Sequence, residues 1–216
     1  MSSELLKRTL SAIVLIPISF LIIIKGSTIF NLLILIILLI SVFEWIKISI
    51  SKIQTILGII FLIFSFYSVY KIRNDFDGEH IYIFFVLIIC ISTDIGGFVF
   101  GKILKGPKLT KISPNKTYSG VFGSYIFSLI FSYIYIKQII FTFENLLYYK
   151  IFFYIFLISS ISQIGDIFIS YFKRLSNLKN TGNIIPGHGG ILDRIDGMIF
   201  AFPFSYFLFS LSFLKL

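Results

Sequence analysis

Apolar residues run through this chain in stretches long enough to cross a bilayer, and that property limits every later choice. A helix needs about 20 mostly apolar residues to span the hydrocarbon core. Seven such stretches lie near 8–24, 28–48, 53–71, 80–100, 118–137, 149–171 and 194–214, the last two interrupted by polar residues. The expected fold is therefore all-α, a polytopic membrane protein of about seven transmembrane helices. Composition agrees: 57% of the 216 residues are hydrophobic, and a mean hydropathy of +0.96 leaves more apolar side chain than one soluble core can hide. The 27 Phe and 12 Tyr are read as lipid-facing bulk without chemistry.

Lys7 and Arg8 precede the first apolar run as in a signal peptide, but no small-residue cleavage site follows, so a retained helix is expected. Lys and Arg orient the bundle. With seven spans and a cytoplasmic N-terminus, thirteen of the 19 cations fall in cytoplasmic segments. Adjacent loops obey the same bias except near 71–80, where Asp75, Asp77 and Glu79 accompany the cations. The net charge of +9 sits in short loops, which suits anionic lipid headgroups or a soluble anionic substrate rather than nucleic acid. Cys90, the only cysteine, lies mid-span and excludes an intrachain disulfide. The chain reads as one integral membrane domain over 1–216, with little motif content in 1–80 and a catalytic region over 91–197.

That region holds two polar blocks. In the first, Asp94, Gly97 and Gly101 share a helix face that combines a carboxylate with a small-residue pair. The glycines are read as helix packing and Asp94 as a site residue, because an acid at membrane depth is costly. A Lys-rich loop broken by Pro107 and Pro114 follows, and Ser113-Pro114-Asn115-Lys116-Thr117 places hydroxyls and an ammonium where a helix begins, a favourable spot for phosphate.

The second block runs from Ile164 to Gly197. Asp166, Ser170 and Lys173 fall at i, i+4 and i+7 on one face, with Ser159 and Ser162 continuing the stripe inward. Asp193 and Asp196 share a face of the final helix beside Gly197. Two helices can thus bring Asp166, Asp193 and Asp196 to one point, where mutual repulsion calls for a cation. A hard divalent ion such as Mg²⁺ takes one or two carboxylates and completes its shell with water and substrate phosphate. Lys173, Arg174, Lys179 and Arg194 are expected to hold phosphate charge, and Gly189 and Gly190 to allow close backbone approach. For His188, a phosphate contact is favoured over an acid or turn-forming role. The chemistry indicated is phosphoryl or nucleotidyl transfer, which rests on positioning and charge neutralisation.

Taken together, Ser170-Tyr-Phe-Lys173-Arg174, Lys179-Asn180-Thr-Gly182 and Pro186-Gly-His188-Gly189-Gly190-Ile-Leu-Asp193-Arg194-Ile-Asp196 closely resemble the signature of the phosphatidate cytidylyltransferase (CDP-diacylglycerol synthase) family. Asp94-Ile-Gly-Gly-Phe-Val-Phe-Gly101 and Ser113-Pro-Asn-Lys116-Thr117 resemble its second recurring block. The resemblance implies a polytopic helical enzyme, dimeric in the family, and the loop charges place its site at the cytoplasmic face of the inner membrane. Such an enzyme joins CTP and phosphatidic acid to give CDP-diacylglycerol and pyrophosphate. It further implies that Asp166 and Asp193 form the metal centre, with Mg²⁺ and a monovalent cation such as K⁺. Lys173, Arg174, His188, Arg194 and Asp196 join those two in catalysis, and Asp94, Ser113, Lys116, Thr117, Ser170, Lys179, Gly189 and Gly190 bind substrate.

Two departures stand out. The family usually has Lys-Asp where this chain has Lys179-Asn180, so Asn180 is not assigned as a metal ligand. Tyr118-Ser119-Gly120 also departs from the usual residues after Lys-Thr, and the chain is short for the family. An anion transporter would show two halves with matching broken helices, which the sequence lacks. A CTP-dependent kinase of a membrane alcohol would keep the nucleotide site and change the acceptor, and a scaffold would leave the buried aspartates unexplained.

Overall fold

The computed structural model describes residues 13, 17–76, 80–110, 113–139, 145–184 and 189–211. A first helical segment, α1, covers 17–25. It is followed by α2 (Ser27–Ile48), α3 (Lys52–Asn74), α4 (His80–Leu104), α5 (Tyr118–Ile139), α6 (Asn145–Leu175), α7 (Leu192–Ile195) and α8 (Met198–Ser210). The described residues are all-helical apart from one isolated bridge, Lys108 to Thr117. Five helices, α2 to α6, are long and apolar enough to cross a membrane, and α8 is a shorter apolar helix.

The observed bounds fall within a few residues of the expected ones for these five, because each apolar run ends at polar or turn-forming residues. Ser51 starts α3 through a capping box, its hydroxyl accepting from the Gln54 N–H while the Gln54 side chain accepts from the Ser51 N–H. Thr117 starts α5, its hydroxyl accepting from the Gly120 N–H at 3.1 Å.

The final span differs from expectation. A continuous helix over 194–214 is replaced by the four residues of α7, a turn at 196–197, and α8, which contains Pro203. Asp196 and Gly197 keep right-handed helical dihedrals, so hydropathy could not reveal the break in the hydrogen-bond ladder. Residues 8–12 and 14–16 of the expected first span lie outside the described residues.

Small residues let α4 and α5 pack closely. A Cβ on Gly96 would strike the Gly123 carbonyl, one on Gly123 would meet Phe100, and Gly97 faces the Ser124 hydroxyl. Ser124 donates to the Thr93 carbonyl at 2.7 Å, and Thr93 shares a 2.8 Å hydrogen bond with Ser159 of α6. Ser65 of α3 donates to the Ile199 carbonyl, fixing α8 against α3. One apolar core gathers residues of α4, α6 and α8, including Phe85, Ile89, Ile155, Ile158 and Phe202; a second surrounds Trp45, Leu62, Ile169 and Leu192. Outside these cores, many large apolar side chains such as Leu57, Ile60, Phe98, Phe122 and Phe153 are exposed, which suits a lipid solvent.

Arg73 explains the mixed segment near 71–80. It is buried, and its guanidinium donates to the carbonyls of Ile23 and Ile24, closing the end of α1 beside the positive-φ pair Gly26 and Ser27. This cation is used in packing, so a loop count overweights it as a topology signal.

Candidate active site at one end of the bundle

The two polar blocks meet. In α6, Asp166 stands nine residues before the end of the helix at Leu175, toward the same end as Lys173 and Arg174. The spacing read from sequence holds in space: Ser170 donates to Asp166 Oδ1 at 3.3 Å, and Lys173 continues the face. Asp166 Oδ2 lies 2.6 Å from Lys116 Nζ, which belongs to the first block.

The loop between α4 and α5 brings Lys116 there by folding back on itself. The Leu109 N–H donates to the Lys116 carbonyl and the Tyr118 N–H to the Pro107 carbonyl, while Lys116 closes a turn on Ser113. Beneath it opens a cavity of about 290 Å³ lined by Asp94, Ser113, Asn115, Lys116, Thr117, Ser124, Gln163 and Asp166. Asp94, Ser113, Lys116, Thr117 and Asp166 were all expected at one site, and they share this cavity. The Thr117 hydroxyl has a second task, as the cap of α5.

The signature segment is organised around Asp193. Its Oδ1 accepts from Lys173 Nζ at 2.8 Å, and its Oδ2 accepts from the N–H groups of Thr181 at 2.9 Å and Gly190 at 3.0 Å. Burial pushes the Asp193 carboxyl up, but Lys173 and the two backbone donors outweigh it and hold the group below its ordinary value. Asp196 lies 4.0 Å from the same Lys173 Nζ and accepts the Gly197 N–H. Burial, then the charge of Asp166, pushes the Asp196 carboxyl well above the ordinary range; Asp94 adds to this and Lys173 opposes it. Asp94, Asp166 and Asp196 therefore feel one another, as convergent acids should.

The glycines divide by role. Gly189 has φ +89, a conformation that side chains resist, and its position lies against Asp193 and Asn180. Gly190 and Gly182 are small because a carboxylate that the sequence reading missed occupies the adjacent space: Glu44 of α2. Glu44 is fully buried and accepts from Thr181 Oγ1, the Ile191 N–H and the Leu192 N–H. A lone Glu in the second apolar stretch was the available signal, since the cost of an acid at that depth is of the order of a few kcal/mol.

Other expected residues stand apart. Arg174 is exposed and donates to the Leu178 carbonyl, within the loop that follows α6. Lys179 is exposed, and so is Arg194, which is close enough to Asp94 to attract its charge. His188 lies outside the described residues.

Residues 49–212 match the Cytidylyltransferase family. The chain belongs to that family. It is 35% identical over 213 residues to a protein of Rickettsia bellii named phosphatidate cytidylyltransferase, covering 95% of this chain and 91% of the relative. A Bacillus subtilis protein of the same name is 41% identical over 133 residues, 60% of this chain and 48% of its own length. A third, from Helicobacter pylori, is 34% identical over 133 residues, 61% and 47% respectively.

For a member of the Cytidylyltransferase family the implied metal can be tested against these donors. Among the described residues, no three His, Cys, Asp or Glu side chains are close enough to cage an ion. Mg²⁺ needs no such cage, because it keeps waters and binds substrate phosphate. Asp166 opens into the cavity and is the more available carboxylate. Asp193 would add an ion beside the three donors it already accepts.

Proposed function

We propose that this chain is a phosphatidate cytidylyltransferase, moving the cytidylyl group of CTP to phosphatidic acid and releasing pyrophosphate. The observation that carries the reading is the junction of the two polar blocks through Lys116–Asp166 at 2.6 Å, with Lys173–Asp193 at 2.8 Å inside the second block, in a chain 35% identical to a relative of that name over 91% of the relative's length. An oxygen of the lipid phosphate attacks the α-phosphorus of CTP. The bond from that phosphorus to the β-bridging oxygen breaks, and its electrons leave with pyrophosphate. A phosphate nucleophile is already anionic at neutral pH, so the chain's task is to bind, align and neutralise.

Lys116, Lys173 and Arg194 supply positive charge to the phosphates, and the turn at Gly189 gives them a close backbone approach. Mg²⁺, held by Asp166 and Asp193, would neutralise charge gathering on the triphosphate. The excess of Lys and Arg in alternate loops supports a cytoplasmic site, where soluble CTP meets a membrane-borne acceptor. An apolar cavity of about 260 Å³ lined by Trp45, Leu57, Phe61, Phe168, Phe172 and Phe200 adjoins α6 beside this polar face, and it suits an acyl chain.

Purified protein in detergent, given CTP, Mg²⁺ and phosphatidic acid, should release pyrophosphate and form a CDP-lipid. Asp166→Ala is expected to lower the rate at least 100-fold while the protein remains folded. No release by the unmutated protein, or equal release by Asp166→Ala, would refute the assignment.

A further inference from the structure

Glu44 has no accessible surface, and the bonds to its carboxylate come from a segment 137 to 148 residues away in sequence. Oε2 accepts from Thr181 Oγ1 at 2.8 Å and the Leu192 N–H at 2.8 Å; Oε1 accepts from the Ile191 N–H at 3.0 Å. A carboxylate removed from water is tolerated when such donors replace its hydration. The surrounding chain is fitted to it, since a Cβ on Gly182 or Gly190 would collide with its oxygens.

Thr181 makes this arrangement more than local packing. The residue is 2% exposed, and while its hydroxyl donates to Glu44, its N–H donates to Asp193 Oδ2. Asp193 in turn holds Lys173 and the Gly190 N–H. Glu44 and Asp193 thus grip one residue from two sides, and residues 190–192 fill the interval between them.

We propose that Glu44 is a positioning residue, which from α2 fixes Thr181, Ile191 and Leu192 so that Asp193 meets Lys173 in the register that the reaction requires. The inference rests on the cytidylyl transfer proposed above. Glu44 touches neither nucleotide nor lipid; it acts through the segment that does.

Glu44→Gln keeps the shape but leaves one accepting oxygen and turns an amide N–H toward a donor. In the full-length protein in detergent, kcat is expected to fall about 10- to 100-fold, with KM for phosphatidic acid changed less than threefold, as for misalignment rather than lost binding. Thr181→Val should lower kcat in the same way, and Thr181→Ser, which retains the hydroxyl, should restore it to within about twofold. Hydrogen exchange read at Ile191 and Leu192 gives a measure independent of activity: their amides should exchange at least tenfold faster in Glu44→Gln. Unchanged exchange, an unchanged kcat in folded Glu44→Gln, or a Ser variant as impaired as the Val variant would overturn the proposal. If Glu44→Gln fails to fold, the Val and Ser pair at Thr181 decides by the same criteria, in kcat and in exchange. Unmutated protein with no transfer activity would overturn the reaction, whereas unchanged exchange would overturn the clamp, so the two failures are read separately.

Discussion

Lys173 and the acids around it show how a few side chains divide the work of one charged site. The same ammonium serves Asp193 at 2.8 Å and Asp196 at 4.0 Å, yet the two carboxyls are displaced in opposite directions. Asp193 has two backbone donors that favour its charged form; Asp196 is opposed by burial and by Asp166 and Asp94. An acid whose folded value is raised costs the folded state stability as pH climbs from its unfolded value toward the folded one, and the cost is full above the folded value. Asp196→Asn removes this cost and keeps an oxygen to accept the Gly197 N–H. In EDTA the variant should therefore melt above the unmutated protein at pH 8, by about 2–4 °C for each ~1 kcal/mol recovered. The gap should narrow toward pH 5 as Asp196 takes up its proton. A gap that widens on acidification, measured by thermal unfolding in detergent, would contradict the sign. Glu44 shows the limit of sequence reading at this scale: a lone acid in an apolar run marks the position, but nothing local names partners more than 130 residues away.

Among elements, the α4–α5 pair decides where the first block stands. Gly96 and Gly123 bring the helix backbones together, Ser124 bonds the Thr93 carbonyl, and the loop at the helix ends then delivers Lys116 to Asp166. Gly96→Val would drive a side chain into the Gly123 carbonyl; overpacking of this kind costs ~1–3 kcal/mol. The expected result is a melting point lower by several degrees and a reduced rate of pyrophosphate release. A Gly96→Val protein with unchanged melting would show that the helices do not rely on this contact. The ends of α2 to α6 were legible because apolar runs stop at residues with a physical reason to stop, as Ser51 and Thr117 do. The break before α8 was not, since Ile195, Asp196, Gly197 and Met198 carry no proline, and their helical dihedrals leave the apolar pattern almost intact. The meeting of Asp166 with Lys116 lay beyond reach as well: spacing gives a helix face, but only tertiary packing says what that face meets.

For the molecule as a whole, orientation is the property most open to a direct test. The buried Cys90 is the sole cysteine, so a single engineered thiol can be read without background from an exposed one. Lys105→Cys, in the exposed loop after α4, should react with an impermeant maleimide only when the cytoplasmic face is accessible. Labelling from the opposite face in intact cells would reverse the proposed topology and separate the site from CTP. The Lys116–Asp166 and Lys173–Asp193 pairs give this charged end a further property. Each cation that would receive a phosphate is already neutralised by an acid that would receive a metal ion. A polyanion arriving alone must compete with carboxylates, and a dication arriving alone must compete with ammonium groups. Arriving together they exchange partners with both, so each raises the affinity for the other by the same factor. Such a site would bind the two together more tightly than either alone.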